Sequence, residues 1–466
     1  MTVHTVYKKD WRDTFISAAL YYGVFIWGFT ESLSLFSLLN FTGILCGWIC
    51  YDLVLLAFFT YQHKQHSLFK DYTFTFSFPK NWEIYFVSFI LVVTFFVAIV
   101  YPPNNWDSMT YHLPRIEHWI QNGNLNHYYT SNIRQLVYAP FAEIAILHNR
   151  VLSGDDWLMN IVQWFAFLGT IIVISKIAAL LELNKKSQLI SSLFFATLPM
   201  AILQSSSTQT DLVVTFWLVC LAERFLSWKR KKNIRLSIEI GIALGLAILT
   251  KGTAYVIAFP FVVAFAIVCI KHYKKHLIGG FCAAAICLML NMPHYIRNYI
   301  SFKNPIETTG TTSIRPTLKS FAVSLFSNIY INTPVPLPKS LEITDKLENM
   351  GTEIYPYGNL IVFSVRKWIS SVGGVASFHE DSVKNPFHML FVIGSFVFIL
   401  VFLRKRDNKY AYIVLVSWGM FVLCIPWQPW ITRLQVPLFA LSSPIFAVTV
   451  MAIRYKKISS VILFIL

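Results

Sequence analysis

Long apolar runs recur from one end of this chain to the other, and a water-soluble fold has no interior large enough to bury them all. Apolar residues make up 56% of the sequence and charged residues only 13%. Most runs approach the length of about 20 residues at which a helix crosses a bilayer. The pattern predicts an all-α polytopic membrane protein with spans near residues 14–29, 36–61, 83–101, 157–181, 188–203, 211–227, 237–250, 254–270, 277–292, 387–403, 410–425 and 434–453.

The two ends of the chain are also apolar. The first run follows Lys8-Lys9 but shows no small-residue cleavage site, so we expect an anchor and not a removed signal. A thirteenth run begins at Ile458 and reaches Leu466, which is consistent with a chain that continues further. The seven cysteines lie in or beside apolar runs, where Cys behaves as a small hydrophobic residue, so neither a disulfide framework nor a zinc site is predicted.

The net charge of +16 is concentrated in short connections between the spans. Counted from a cytoplasmic N-terminus, only the even-numbered connections carry dense basic runs, as the positive-inside rule requires. This distribution predicts a multi-pass protein of the plasma (inner) membrane, and basic loops beside anionic lipid require no nucleic-acid partner. The basic runs are Lys185-Lys186, Lys229-Arg230-Lys231-Lys232, Lys271 with Lys274-Lys275, Arg404-Lys405-Arg406, and Arg454 with Lys456-Lys457.

This orientation places two long loops, 102–156 and 293–386, on the periplasmic or extracellular face of a single domain, 1–466. Stretches 115–120 and 141–148 of the first loop are amphipathic, which predicts helices lying in the membrane interface or, alternatively, packed on a loop core. The second loop is long and rich in breakers, as functional or disordered loops are.

Ionisable residues stand at the outer ends of several spans. Asp107 directly follows a span and has His112 and Arg115 close behind it. Its carboxylate is suited to accept a proton from a hydroxyl or to hold a divalent cation, whereas a merely solvated loop residue is the alternative. Asp211 opens a later span and Lys251 closes the next one, although an N-terminal acid and a C-terminal Lys-Gly are also ordinary helix ends.

The remaining candidates lie on the same face. His294 and Arg297 follow a span, Arg433 precedes one, and Glu380-Asp381 lie in the second loop, where they are available to an acceptor, a metal or neither. No Walker sequence or nucleophile elbow is present. Acids and cations at one membrane face suit displacement of a lipid phosphate from a sugar, with cations holding the phosphate and a carboxylate taking the acceptor's proton.

These positions carry a family resemblance. Three segments, together with Arg433 before a Pro-bearing span, make the chain resemble the GT-C membrane glycosyltransferases, in particular the bacterial aminoarabinose transferases of lipid A and the protein O-mannosyltransferases. The segments are Trp106-Asp107-Ser108-Met109-Thr110-Tyr111-His112, Thr208-Gln209-Thr210-Asp211 and Leu249-Thr250-Lys251-Gly252. The resemblance implies a bundle of about 12 to 13 transmembrane helices with interfacial helices outside. It also implies transfer of a sugar from a polyprenyl-phosphate donor to a cell-envelope acceptor.

The resemblance assigns roles to the candidates. Asp107 and Asp211 are the expected catalytic acids. Many relatives carry paired acids where this chain has Asp107-Ser108, so a divalent cation, held by Asp107 if by any residue, is left open. The residues expected to bind the donor phosphate are Lys251, Arg115, Arg297 and Arg433, and those expected to bind substrate are His112, His294, Glu380 and Asp381.

Two other functions remain open from the sequence. A transporter or lipid-carrier flippase requires ionisable residues along a path through the spans, whereas Lys176, Glu182 and Glu223 lie toward the predicted cytoplasmic ends. A polymerase or ligase of envelope glycans differs from a monosaccharide transferase only in the size of donor and acceptor.

Overall fold

The structure is a computed structural model, and it describes residues 10–66, 81–306, 318–332, 379–403, 408–425, 428 and 430–453. These residues form helices and no strands, which confirms the predicted all-α class. The thirteenth apolar run lies outside the described residues, as do most of the second outer loop and the basic runs 404–406 and 454–457. Within the described part of the chain, five helices are long and apolar enough to cross a membrane: Phe41–Lys64, Trp82–Val100, Ile161–Leu180, Thr253–Lys271 and Tyr273–Phe302.

The described residues form eighteen α-helices and one π-helix. They are α1 (Trp11–Leu35), α2 (Phe41–His66), α3 (Trp82–Val100), the π-helix Ser108–His112, α4 (Leu113–Asn122), α5 (Arg134–Val137), α6 (Phe141–Ser153), α7 (Ile161–Leu180), α8 (Lys185–Ala196), α9 (Pro199–Gln204), α10 (Asp211–Lys231), α11 (Ile234–Thr250), α12 (Thr253–Lys271), α13 (Tyr273–Phe302), α14 (Leu318–Tyr330), α15 (Pro386–Phe402), α16 (Lys409–Cys424), α17 (Ile431–Leu434) and α18 (Val436–Ala452).

Three predicted boundaries were wrong, each for a local reason. The predicted span 188–203 is two helices, α8 and α9, because Pro199 lacks an amide hydrogen to continue α8 and instead begins α9. Helix α13 contains Pro293 in its interior and continues to Phe302. Residues 293–302 therefore belong to this helix and not to the second outer loop. Helix α1 extends to Leu35, well past the predicted end at residue 29.

The main core is formed by α7, α8, α10, α11 and α18, whose apolar side chains are buried against one another. Helix α10 lies at its centre and is buried along most of its length. Helix α2 lies at the edge with nearly all of its apolar surface uncovered, as a helix facing lipid does. The packing of the central helices therefore fixes the positions of the residues at their ends, such as Asp211 at the start of α10 and Lys251 after α11.

A second core joins the first outer loop to the bundle. Helices α4 and α6 form where the two amphipathic stretches were predicted, and their apolar residues Ile116, Trp119, Ile144 and Leu147 are buried against α1 and α2. Gly123 ends α4 with a positive φ of 71°, and a Cβ there would lie 2.6 Å from the Ser37 carbonyl oxygen. The loop is therefore docked tightly on the turn between α1 and α2.

A buried ion cluster ties α1, α10 and α11 together away from the outer loop. Arg224 contacts Asp13 at 2.9 Å, Glu223 at 2.5 Å and Glu239 at 2.8 Å. Arg235 adds a second cation, 2.9 Å from Glu239, and the ion pairs of the cluster link the three helices.

Candidate active site

The first outer loop begins with a π-helix directly after Asp107. The amide of Ser108 donates to Asn105 Oδ1 at 2.8 Å, and its hydroxyl accepts from Thr208 at 2.6 Å. The wide turn is therefore anchored to the segment that precedes α10. Single π-turns of this kind occur frequently at functional sites, because they redirect side chains out of the regular helical register.

Arg433 joins two distant acids at this point. Its Nη2 donates to Asp107 Oδ2 at 2.5 Å and its Nη1 to Asp381 Oδ1 at 2.9 Å. Asp107 and Arg433 are 326 residues apart in sequence, and both are buried. Charge-assisted hydrogen bonds between an arginine and carboxylates are stronger than neutral ones and restrict the geometry of both partners. One guanidinium therefore fixes acids from both outer loops.

Lys251 and Asp211 form the second ion pair, with Nζ 2.6 Å from Oδ1. Asp211 is the first residue of α10, where an acid ordinarily satisfies unpaired amides. Here Gln163 Oε1 accepts from the amides of Leu212 and Val213 at 2.8 and 3.1 Å. The capping interpretation of Asp211 is therefore wrong, because another side chain performs that task and leaves the carboxylate for Lys251.

These contacts define an acidic cluster in which the acids outnumber the cations. Gln209 Nε2 donates to both Asn105 and Asp381, and Gln204 donates to the Glu380 carbonyl oxygen at 2.7 Å, so the short second-loop segment is held against the cluster. The members of the acidic cluster are Asp107, Asp211, Glu380, Asp381, Lys251 and Arg433.

The acids of the cluster differ in proton affinity. Burial opposes ionisation of Asp107, but the charge of Arg433 and a hydrogen bond from Tyr111 outweigh it and hold the pKa of Asp107 below its usual range. Burial, reinforced by the charge of Asp381, raises the pKa of Glu380. The pKa values of Asp107 and Glu380, two carboxyl groups of one cluster, are thus shifted in opposite directions.

The divalent cation left open for Asp107 finds no ligand set here. Among the residues that the structure describes, no three His, Cys, Asp or Glu side chains are grouped as a metal site requires. Arg433 and Lys251 already engage the oxygens of Asp107 and Asp211. These residues do not fit a bound metal, so no step is assigned to one.

Next to the acidic cluster lies a basic pocket, defined by Arg115, His127, His294 and Arg297. Arg297 forms a two-point ion pair with Glu31 of α1, with distances of 2.7 and 2.8 Å. His294 lies almost one helical turn before Arg297 on α13, and its side chain is buried. The Nε of Arg115 is buried and has no partner among the described residues. Burial, with the charges of Arg115 and Arg297, lowers the pKa of His127 to about 4.

Glu143 connects the pocket to the π-helix. Its Oε1 lies 2.8 Å from His112 Nδ1 and accepts from Arg115 Nη1 at 3.2 Å. Arg115 also donates to the carbonyl oxygens of Leu136 and Tyr138, at 2.9 and 2.5 Å. The side chains of His112, Glu143 and Arg115 are all almost fully buried. His112 therefore positions the loop through Glu143, and Arg115 is held rigidly at the edge of the basic pocket.

The ten residues singled out in the sequence thus form two adjacent groups. Asp107, Asp211, Lys251, Glu380, Asp381 and Arg433 lie in the acidic cluster, Arg115, His294 and Arg297 line the basic pocket, and His112 lies between them. Glu31, Glu143 and His127 also belong to these groups and were not predicted from the sequence. Glu31 could have been predicted, because an acidic residue in an apolar helix usually has a charged or polar partner. Nothing in the sequence distinguished His127.

Comparison with known proteins agrees with this architecture. Residues 141–296 match the family of dolichyl-phosphate-mannose-protein mannosyltransferases. The fold is similar to that of ArnT from Cupriavidus metallidurans, solved bound to undecaprenyl phosphate (TM-score 0.51, 14% identity) and in the apo state (TM-score 0.53, 14% identity). Each match covers 82% of this chain, and it covers 63% and 62% of the ArnT chains, so this chain spans less than two thirds of that protein.

A third solved structure, the oligosaccharyltransferase of Archaeoglobus fulgidus in the apo form, matches with a TM-score of 0.44 and 12% identity over 83% of this chain and 55% of the other. No curated protein sequence matches the chain. The family match over residues 141–296 and the fold similarity to ArnT both agree with the resemblance to the GT-C glycosyltransferases that the sequence motifs indicate.

Proposed function

We propose that this protein is an integral membrane glycosyltransferase that moves a sugar from a polyprenyl-phosphate donor to a cell-envelope acceptor at its outer face. The observation that carries the proposal is the placement of a basic pocket beside an acidic cluster, both organised by the π-helix after Asp107. Transfer of a sugar from a phosphate requires cationic groups for the leaving phosphate and acids at the sugar. The matched mannosyltransferase family supports this activity over transport.

The donor phosphate is assigned to the basic pocket. Arg115 and Arg297 supply two guanidinium groups, each paired with one carboxylate (Glu143 or Glu31), and two histidines complete the lining of the pocket. The acidic cluster carries an excess of negative charge that repels a phosphate. Lys251 and Arg433, which the sequence suggested as phosphate ligands, are instead assigned to hold the aspartates. The undecaprenyl phosphate bound to the similar ArnT supports a lipid phosphate as ligand.

Asp107 is assigned to the reacting sugar. Sugar transfer proceeds through a transition state with positive charge at the anomeric carbon. A carboxylate that stays ionised and is fixed in place by Arg433 stabilises this charge without having to reorganise. The charge-assisted bond from Arg433 and the anchored π-helix supply that fixed position.

The direct test is release of free polyprenyl phosphate. Wild-type protein in membranes that supply native acceptors is incubated with a panel of radiolabelled polyprenyl-phosphate sugars. We expect release with one donor and transfer of its label to an envelope acceptor. Folded protein that releases no lipid phosphate from any donor would contradict the assignment, and a lipid-flipping assay would then test the transporter alternative.

Arg297→Gln is expected to raise the donor KM about 10-fold to 100-fold, because a hydrogen bond to a charged group is worth about 1.5–3 kcal/mol. Glu31→Gln is the matched control, since it also removes the ion pair between the two residues but leaves the guanidinium for the phosphate. Its donor KM is expected to stay equal or to fall. Equal increases of the donor KM in both variants would show that the ion pair matters and that the phosphate lies elsewhere.

The proposed orientation has a separate test. Tyr129 in the first outer loop is fully exposed, and Lys231 in a predicted cytoplasmic connection is also exposed. A cysteine at position 129 is expected to react with an impermeant maleimide in intact cells, and a cysteine at position 231 only after lysis. The exposed native cysteines, Cys46 and Cys50 in α2 and Cys424 at the end of α16, are replaced by serine in both variants so that only the introduced thiol reports. The opposite pattern of labelling would reverse the topology.

A further inference from the structure

The proposed transfer requires a carboxylate that accepts the proton of the acceptor hydroxyl, and the acidic cluster offers four. Asp107 and Asp381 share the guanidinium of Arg433, and Asp211 is paired with Lys251. The carboxylate of Glu380 has no Lys or Arg nitrogen of the described residues within 4.0 Å, the distance that defines an ion pair. Glu380 is therefore the acid of the cluster that no described cation neutralises.

The backbone around Glu380 is fixed by its neighbours, and its side chain interacts with the amide of Asn105 but has no Lys or Arg partner among the described residues. Gln204 donates to the Glu380 carbonyl oxygen at 2.7 Å, and the next residue, Asp381, accepts from Gln209 at 3.1 Å and from Arg433 at 2.9 Å. The Glu380 side chain itself is half-buried. A carboxylate on an anchored segment at the accessible edge of a site meets the geometric requirement for a general base that must reach an incoming hydroxyl.

The surroundings of Glu380 also give it the basicity that Asp107 lacks. The charged and titratable groups near it are His379 and Asp381 on its own segment, with Arg433 and Asp107 beyond Asp381. Burial and Asp381 raise the pKa of Glu380, whereas Arg433 keeps that of Asp107 low. A base accepts protons most effectively when its pKa approaches the working pH, and paired carboxyl groups shifted apart commonly divide two roles.

We propose that Glu380 is the general base of the sugar transfer and Asp107 the electrostatic partner of the sugar. This inference rests on the proposed function. The acceptor O–H proton passes to the Glu380 carboxylate while the acceptor oxygen bonds to the anomeric carbon. The bond between that carbon and the phosphate oxygen breaks, and its electron pair leaves with polyprenyl phosphate. Glu380 then returns its proton to water.

The test is the pH profile of kcat/KM for lipid-phosphate release by wild type, Glu380→Gln and the control Glu117→Gln. Glu117 is an exposed acid of the first outer loop whose partner Arg150 is also partly exposed. For wild type we expect activity to fall as the pH drops through a pKa above the usual value for glutamate, about 4.3. Glu380→Gln is expected to lose this limb and about 10²-fold to 10⁴-fold in rate at unchanged donor KM. The control is expected to keep the limb and its rate.

Failure of the proposed function and failure of the role of Glu380 give different results in this experiment. If wild type releases no lipid phosphate, the proposed function fails. If wild type is active and Glu380→Gln keeps both the acid limb and a rate within tenfold, only the role of Glu380 fails. Where Glu380→Gln does not fold, Glu380→Ala with added formate decides: recovery of activity supports a missing base, and loss without recovery overturns the role.

Discussion

Asp107→Asn is expected to reduce lipid-phosphate release about 10²-fold to 10³-fold, the typical cost of removing one fixed electrostatic contact to a transition state. Asparagine keeps the size of the side chain and accepts a hydrogen bond from Arg433, but it carries no charge for the anomeric carbon. The measurement is single-turnover release of radiolabelled polyprenyl phosphate, with the amount of folded protein determined by thermal unfolding in detergent. A loss in kcat at nearly constant donor KM identifies an interaction made in the transition state.

The matched control for this variant is Asp155→Asn, which removes the same charge from an exposed position in the same outer loop. It is expected to leave both kcat and donor KM unchanged. Normal turnover by Asp107→Asn would refute its catalytic assignment. A raised donor KM with unchanged kcat would move Asp107 to the donor-binding site.

Arg433→Gln is expected to destabilise the protein by about 3–5 kcal/mol, because it leaves the buried Asp107 and the partly buried Asp381 without their shared cation. The side chains of Asp107, Asp381 and Arg433 are each less than one-fifth exposed, so water replaces little of the lost interaction. Transfer activity is expected to be lost as well, since the guanidinium holds Asp107 in position. Thermal unfolding in detergent measures the first effect and lipid-phosphate release the second.

A variant in which Arg433 and both of its acidic partners are neutral separates the effect of Arg433 on stability from its effect on activity. In Asp107→Asn/Asp381→Asn/Arg433→Gln the unpaired charges are gone, so the triple variant is expected to recover most of the stability that Arg433→Gln loses while remaining inactive. Such coupling is the signature of directly interacting groups. A triple variant as unstable as the sum of its single changes would contradict the ion bridge between the two outer loops.

The residues of the site differ in how far they could be predicted from the sequence. Asp107 and Arg433 were identifiable because a charge at the end of an apolar run is costly unless it has a task. Asp211 was ambiguous, since a first-turn acid is an ordinary helix cap, and only the contact of Gln163 with the α10 amides removed the ambiguity. Arg115 and Arg433, grouped together from sequence as phosphate ligands, belong to different sites.

The sequence by itself determined that the chain forms membrane-spanning helices and where most of them lie, because hydropathy and helical periodicity are local properties of a short segment. It also determined which side chains were too polar for their surroundings. The partners of those side chains were decided only by the tertiary structure. Arg433 meets Asp107 across 326 residues and Arg297 meets Glu31 across 266. Such contacts depend on how the helices pack around α10, which no local pattern records.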